Sequence, residues 1–490
     1  MKKNYDVIII GGGVVGSSIA RELSRFQIKV CVLEKEADVC CGNSGRNTGM
    51  LHAGFHYEPG SLKAKFSVEG NQAFDQIAKE LDIPFKRTGK LTVGFTEKHM
   101  ERLLHLKDRG EKNGVPGLAI IDRNGIRRID PNVGGEFALY SPTSGILCPH
   151  LYTIALAENA KMNGVDYYFE HEVLSVKRDP DRTYNISTSK RNFGSRWIIN
   201  SSGLNAPTIA DMLGSLGHVY KKVKGEYLLL DKKAGEFLSV PVYPAPGDDD
   251  ITDVHVTPTI DGNVLVGPTC DEIVQNSDFD TTYAALSTLT EGGLKLFGKM
   301  KPEWYIRTFA GIFPRLIDPK TNAELDFLIE HREETPNIIN LLGINSPGVT
   351  CAYPIAKRIA DIVAKQERLS SNENFDPHRK GILRFSEQDI ETQARLINEN
   401  PDYGEIICRC ECVTRTEILR AIENPLDLHS VNSIKFRTRA TMGRCQGGYC
   451  ETRIASILQE KLGIKETDVR LDNSKSYMFT GKVREHENNR

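Results

Sequence analysis

The chain has 490 residues, beyond the size at which one hydrophobic core stops growing, so two or three domains are expected. With a net charge of -2, 39% hydrophobic and 26% charged residues, it has no field that would gather nucleic acid or an anionic membrane. No apolar run reaches the roughly 18 residues needed to span a bilayer, and Lys2 and Lys3 lead straight into a strand, so the start reads as neither signal peptide nor anchor.

In chain order, Asp6 to Ile10 is a buried parallel strand that turns through Gly11, Gly12, Gly13 and Gly16 into a helix. Glycine at positions 11, 13 and 16 permits the tight turn, the approach of a pyrophosphate and the packing of helix on strand. A second strand, Ile28 to Leu33, ends in Glu34, where a carboxylate can accept both hydroxyls of an adenosine ribose while the helix N-terminus takes the pyrophosphate. A strand, a glycine turn, a helix and a strand ending in an acid predict a dinucleotide site.

The next stretch, Cys40 to Tyr57, contains Ser44, Arg46, Asn47, Thr48, His52 and His56 and has neither helical nor strand period. Exposed amides between its glycines suit it to wrapping a cofactor, with Arg46 available for anionic groups. His52 and His56 are the first residues able to exchange a proton there. Helices are expected over 62–81 and 97–113, with a strand at 88–95 between them, a turn at 126–131 and a further segment at 140–147. These pieces do not repeat the opening fold, as an inserted second domain would explain.

The nucleotide domain then resumes with a helix over 149–163, a strand at 165–169, a meander through His171 to Val176 and Thr183 to Ile186, and a buried strand, Trp197 to Asn200. That strand stops at a small-residue turn, Ser201 to Ala206, suited to another part of a large dinucleotide such as FAD. Residues 222–278 are rich in strand signals, including a hairpin at Asp261-Gly262-Asn263. They read as a sheet that covers the cofactor, with His255 facing either site or solvent. Lys222 and Lys224 read as surface charges. After a helix over 281–300, the strand pattern Tyr305 to Arg315 carries two arginines, of which Arg315 ends the apolar run as an anion anchor. Strands 326–330 and 338–342 lead through Gly343, Ser346, Pro347 and Gly348 to a helix over 352–365, whose first amides could hold the flavin pyrimidine oxygen. Residues 370–381 lack periodicity and mark a boundary.

Five of the 11 cysteines fall between Cys408 and Cys450. Cys408 with Cys410, and Cys445 with Cys450, bracket a helix after Thr414 and a basic, strand-like stretch at Ile434 to Arg439. Two thiolate pairs satisfy iron or zinc, and the tight and glycine-rich spacings suit a two-iron cluster. Cys412 is one residue too many. Cys31, Cys148, Cys270 and Cys351 sit in apolar surroundings and are not expected to be ligands.

Together, the opening fingerprint, Asn43 to Gly54, Gly203 to Ala206, Gly311 to Arg315 and Asn340 to Gly348 resemble the FAD-dependent oxidoreductases related to D-amino-acid oxidase. Within them the chain is similar to the glycerol-3-phosphate dehydrogenase and oxidase branch, with L-2-hydroxyglutarate dehydrogenase a close relation. Residues 405 to about 455 resemble a ferredoxin-like [2Fe-2S] module. The resemblance implies an α/β fold: a Rossmann-like FAD-binding domain (1–80, 149–221, 311–370) interleaved with a mixed-sheet substrate domain (81–148, 222–310). A linker (371–404) and a small C-terminal cysteine-cluster domain with its tail (405–490) follow.

The resemblance also implies an FAD-dependent dehydrogenase, with oxidase activity open, that converts sn-glycerol 3-phosphate to dihydroxyacetone phosphate. It places His52, Arg315 and Ser346 in the catalytic set, to which the strand reading adds His255 as a further candidate. The FAD contacts are Gly11, Gly13, Gly16, Glu34, Ser44, Arg46, Asn47, Thr48, Val173, Gly203, Gly343, Pro347 and Gly348. The cluster ligands are Cys408, Cys410, Cys445 and Cys450. A small anionic substrate, a redox partner subunit or quinone-linked acceptor, and a cytoplasmic location, with peripheral attachment at the inner membrane face open, complete the expectation. Alternatives are a 2-hydroxy acid (with Arg307 as second anion contact), an amine or amino acid, and a non-enzymatic flavin-bearing redox or assembly subunit.

Overall fold

A computed structural model describes residues 3–180, 183–247 and 254–481. The expected domain limits at residues 1 and 490 lie outside the described residues. Two large sheets and a small C-terminal module make up the fold.

The first sheet is centred on β1 (Lys3–Ile10), which leads into helix α1 (Val14–Leu23) and then strand β2 (Val30–Leu33). β1 runs parallel to β2 on one side and to Asn192–Asn200 on the other. Ile338–Leu342 adds in parallel to Asn192–Asn200 and pairs with Leu328–Glu330. The parallel centre of this sheet, at 7–10, 30–33, 197–199 and 338–342, is nearly continuous in apolar residues because helices cover it. Ile9, Val32, Ile199 and Ile339 pack under α1 and the helix Gly348–Glu367, with Leu23 and Ile359 facing them.

Among the described residues the second sheet has nine strands and holds Lys90–Gly94, Phe137–Ser141, Val242–Pro244, Val256–Pro258 and Val264–Val266 in its body. Its longest pair is antiparallel, Val219–Leu230 against Tyr305–Ile317, in register from Val219 opposite Ile317 to Leu230 opposite Tyr305. The boundaries expected at 221/222 and 310/311 therefore fall inside continuous strands. Residues 311–317 belong to this sheet, because an apolar alternation that continues past a glycine keeps a strand paired.

Several elements match their expected bounds closely, including Leu62–Leu81 and Glu97–Lys112, each opened by a capping hydroxyl from Ser61 or Thr96. Others differ. The turn expected at 126–131 is the end of a helix, Arg123–Ile129, capped by Asp122. The helix expected from 352 begins at Gly348, where buried Thr350 and Cys351 hold a β-branched and glycine-containing turn against the body. The basic stretch read as strand-like is the helix Val431–Thr438: Ser430 caps it, Arg439 closes it in the left-handed region, and Val431, Ile434 and Thr438 form its buried face. The expected linker contains a helix of its own, Ile390–Glu399.

The C-terminal module has a separate core of Ile407, Ile418, Ile434, Ile454 and Leu458, and buried ion pairs dock it. Arg437 reaches Asp38 at 2.7 Å and Glu158 at 3.1 Å, and from the segment before the module Arg379 reaches the same Glu158 at 2.6 Å. On the other side Arg439 and Arg384 share Asp261, each at 2.7 Å. Among the described residues no helix is long and apolar enough to cross a membrane.

Candidate functional site

A cavity of 1140 Å³ runs between the two sheets, from Gly11 and Glu34 at one end to Arg315 and Ser346 at the other. Its length follows from the fold. The carboxyl ends of β1 and β2 form one end, and the second sheet roofs the other.

The glycine turn is sterically obligatory. Gly11 has a φ of +105°, and a Cβ at Gly16 would lie 2.0 Å from the Gly11 carbonyl oxygen. Glu34 accepts hydrogen bonds from the amides of Gly12 at 2.6 Å and Glu36 at 2.9 Å, which fixes its carboxylate at the cavity edge. Ser44 accepts from the Val14 amide at 2.9 Å, tying the wrapping loop to the first turn of α1. Asn47 donates to the carbonyls of Asn43 and Ser44 and accepts from the Gly49 amide. The open turn, the first-turn amides and a fixed acid at the end of β2 suit the pyrophosphate and ribose of FAD.

Arg46, Thr48, Val173, Gly203, Pro347 and Gly348 also line the cavity. Two expected contacts do not. Gly16 packs α1 on Gly11 behind the wall, and the Gly343 amide donates to the Tyr220 hydroxyl at 2.7 Å, outside the lining.

All four expected catalytic residues line this cavity. His52 is fixed through its backbone: its amide donates to Thr350 Oγ1 and its carbonyl accepts from Asn71, both at 3.0 Å. Burial lowers its pKa to about 3, so the imidazole is neutral at physiological pH. The His255 ring lies 3.6 Å from that of Tyr243, and burial also holds it well below the ordinary histidine range. Ser346 is within hydrogen-bonding reach of Tyr57. Arg315 lies 3.6 Å from Glu324, which Lys63 also meets at 2.9 Å, so two cations share one carboxylate.

Arg307 is not in the cavity. It donates to Gln446 at 3.2 Å, between the two cysteines of the second pair, and cannot serve as the second anion contact. Sequence reasoning missed Lys63, a polar position on an amphipathic helix with no distinguishing signal. It also missed Asn43, which binds both backbone groups of Ile312 and so joins the wrapping loop to the second sheet.

In the module, Cys408 interacts with Cys450 and Cys410 with Cys445. The Cys450 thiol, aided by the amides of Thr441 and Glu411, lowers Cys408 to about 6, and the Tyr449 and Gly447 amides help lower Cys445. Paired thiols with amides directed at them suit the sulfur-rich periphery of a two-iron cluster. Cys412 donates to the Arg409 carbonyl.

Residues 6–362 match the family described as FAD dependent oxidoreductase, and residues 406–460 match the BFD-like [2Fe-2S] binding domain. The chain belongs to the FAD-dependent oxidoreductases. This flavoenzyme therefore has an FAD-binding region and a [2Fe-2S]-binding module, which removes both the zinc alternative and the non-enzymatic reading. It is 36% identical over 480 residues to a glycerol 3-phosphate dehydrogenase of Caloramator mitchellensis, covering 97% of this chain and 98% of that one. It is 35% identical over 283 residues to the mitochondrial L-2-hydroxyglutarate dehydrogenase of Nematostella vectensis, covering 54% and 62%. Among solved structures it is similar to the FAD-bound L-alpha-glycerophosphate oxidase of Mycoplasma pneumoniae, with a TM-score of 0.72 at 28% identity, covering 77% of this chain and 98% of that one.

Proposed function

We propose that this flavoenzyme oxidises sn-glycerol 3-phosphate to dihydroxyacetone phosphate and passes the electrons on through its [2Fe-2S] centre. The observation that carries this reading is a neutral, backbone-fixed His52 in the same cavity as the cation pair Arg315 and Lys63. The similarity to the Caloramator dehydrogenase, which extends through the cysteine module, supports it.

When bound, FAD supplies a two-electron acceptor for the hydride of the secondary carbon, and the cluster a one-electron outlet. The chain does the rest. His52 takes the hydroxyl proton as the hydride leaves: its imidazole is unprotonated and so able to accept, and the negative charge of the bound substrate raises its basicity from the low value it has in the empty cavity. Arg315, with Lys63, holds the distal phosphate and so presents the carbon at reactive distance. Ser346 with Tyr57, and His255 with Tyr243, shape the face opposite. Glu34, Ser44 and the glycine turn retain FAD. Cys408, Cys410, Cys445 and Cys450 hold the cluster, and Cys412 is left outside the ligand set.

An iron-sulfur outlet serves a dehydrogenase with a redox partner subunit or quinone-linked acceptor, working in the cytoplasm. The second reading, oxidation of L-2-hydroxyglutarate, is favoured by the two cations at Glu324, which could each take a carboxylate. Anaerobic titration of the purified protein with each substrate separates the two. Flavin bleaching by glycerol 3-phosphate alone is the expected result, and bleaching by L-2-hydroxyglutarate alone overturns it.

A further inference from the structure

Lys90 opens the strand Lys90–Gly94 and is 1% exposed. Its Nζ lies 2.8 Å from His56 Nε2 and 3.6 Å from the centre of the Tyr243 ring, with the Phe55 ring centre at 5.0 Å. Among the described residues no carboxylate pairs with it. The titratable groups around it are basic or neutral on every side. The loop before Leu62–Leu81 brings His52, His56 and Tyr57, the strand Val242–Pro244 brings Tyr243, and His255 precedes Val256–Pro258. From Glu97–Lys112, Arg109 donates to the His56 carbonyl at 3.0 Å, and its own charge is taken by Glu58.

A buried ammonium without a counter-ion is costly, and proteins usually pair such a group or leave it unprotonated. Here the partner can come from the ligand. Tyr243, His255, His52 and Tyr57 line the cavity, so Lys90 stands one side chain behind the wall.

We propose that Lys90 is the buried counter-charge of the substrate pocket: an anion entering beside Tyr243 and His255 is accompanied by uptake of one proton from solvent onto the Lys90–His56 pair. One N–H bond forms, the proton comes from buffer, and no electrons move. Lys90 is thus a positioning residue that makes the pocket select anions over neutral alcohols. Burial drives both Lys90 and His56 well below their ordinary ranges, which leaves the pair short of a proton in the empty pocket. The inference rests on the reading that the substrate is an anion.

The test is calorimetric titration of oxidised, FAD-loaded full-length protein with dihydroxyacetone phosphate and, separately, 2-oxoglutarate. Each is run at neutral pH in two buffers of different ionisation enthalpy. The expected result is buffer-dependent heat equivalent to about one proton taken up per bound anion. Lys90→Met should abolish the uptake and weaken binding at least tenfold. Lys90→Arg, permanently charged, should bind the anion without uptake, and it decides the matter alone if the methionine variant fails to fold. Binding of either anion to wild-type protein without proton uptake, or uptake that persists in Lys90→Arg, overturns the role of Lys90 and leaves the substrate reading intact. Binding of neither anion overturns the substrate reading, and this inference with it.

Discussion

At the scale of single residues, His52 and Arg315 divide the work between proton and anion. His52→Asn removes the base while keeping its size, and the rate of anaerobic flavin reduction should fall about 10²- to 10⁴-fold with flavin content unchanged. The lowered pKa of His52 also has a sign. Between about 3 and its ordinary 6.5 the unfolded chain binds the proton and the folded chain does not. Stability therefore rises with pH through that window and is lost as pH falls through it. A denaturation series from pH 4 to 7 should show this slope flatten in His52→Asn. Arg315→Met should weaken substrate binding by about 1.5–3 kcal/mol, roughly 10- to 150-fold, seen as a raised KM. The fold should survive, because Glu324 keeps its bond to Lys63 at 2.9 Å. Arg315 was legible in the sequence as a cation late in an apolar run, although the strand goes on through Leu316 to Ile317. Lys63 was not, since one more lysine on a helix surface carries no signal until Glu324 is beside it.

At the scale of elements, the β1–α1 turn depends on the absence of side chains. A Cβ at Gly16 would lie 2.7 Å from Ser201 Oγ and 2.0 Å from the Gly11 carbonyl oxygen, and that backbone oxygen cannot retreat without moving the end of β1. Gly16→Ala should therefore push α1 off the sheet, and the protein should purify with little flavin absorbance even after reconstitution. This element was readable because its constraint is local: a buried strand, a turn and a helix follow one another within two dozen residues. The helix Val431–Thr438 shows the opposite. Ile434 to Arg439 fits an alternating pattern as well as a helical one, and packing of Val431, Ile434 and Thr438 against the module core decided between them.

At the scale of the whole molecule, the module is fixed to the flavoenzyme body by charges buried on both sides. Arg437 is 1% exposed in its side chain and bonds Asp38 and Glu158 at once. Arg437→Met leaves both carboxylates without that cation and should weaken docking by about 3–5 kcal/mol. Limited proteolysis should then cut within 371–404 faster than in wild type, while the module keeps its own separately packed core.

The sequence by itself determined the dinucleotide cradle, the wrapping loop and the cysteine spacing, because each depends on neighbours a few residues apart and on residue types with few other uses. Only the tertiary structure decided which cations meet the cavity. Arg307 and Arg315 lie on one strand with even separation and so share a face. The strand is longer than the cavity, however, so one arginine ends at Gln446 and the other beside Glu324. Lys90 and Lys63 acquired their surroundings in the same way, from segments far apart in sequence, and no local pattern encodes such contacts.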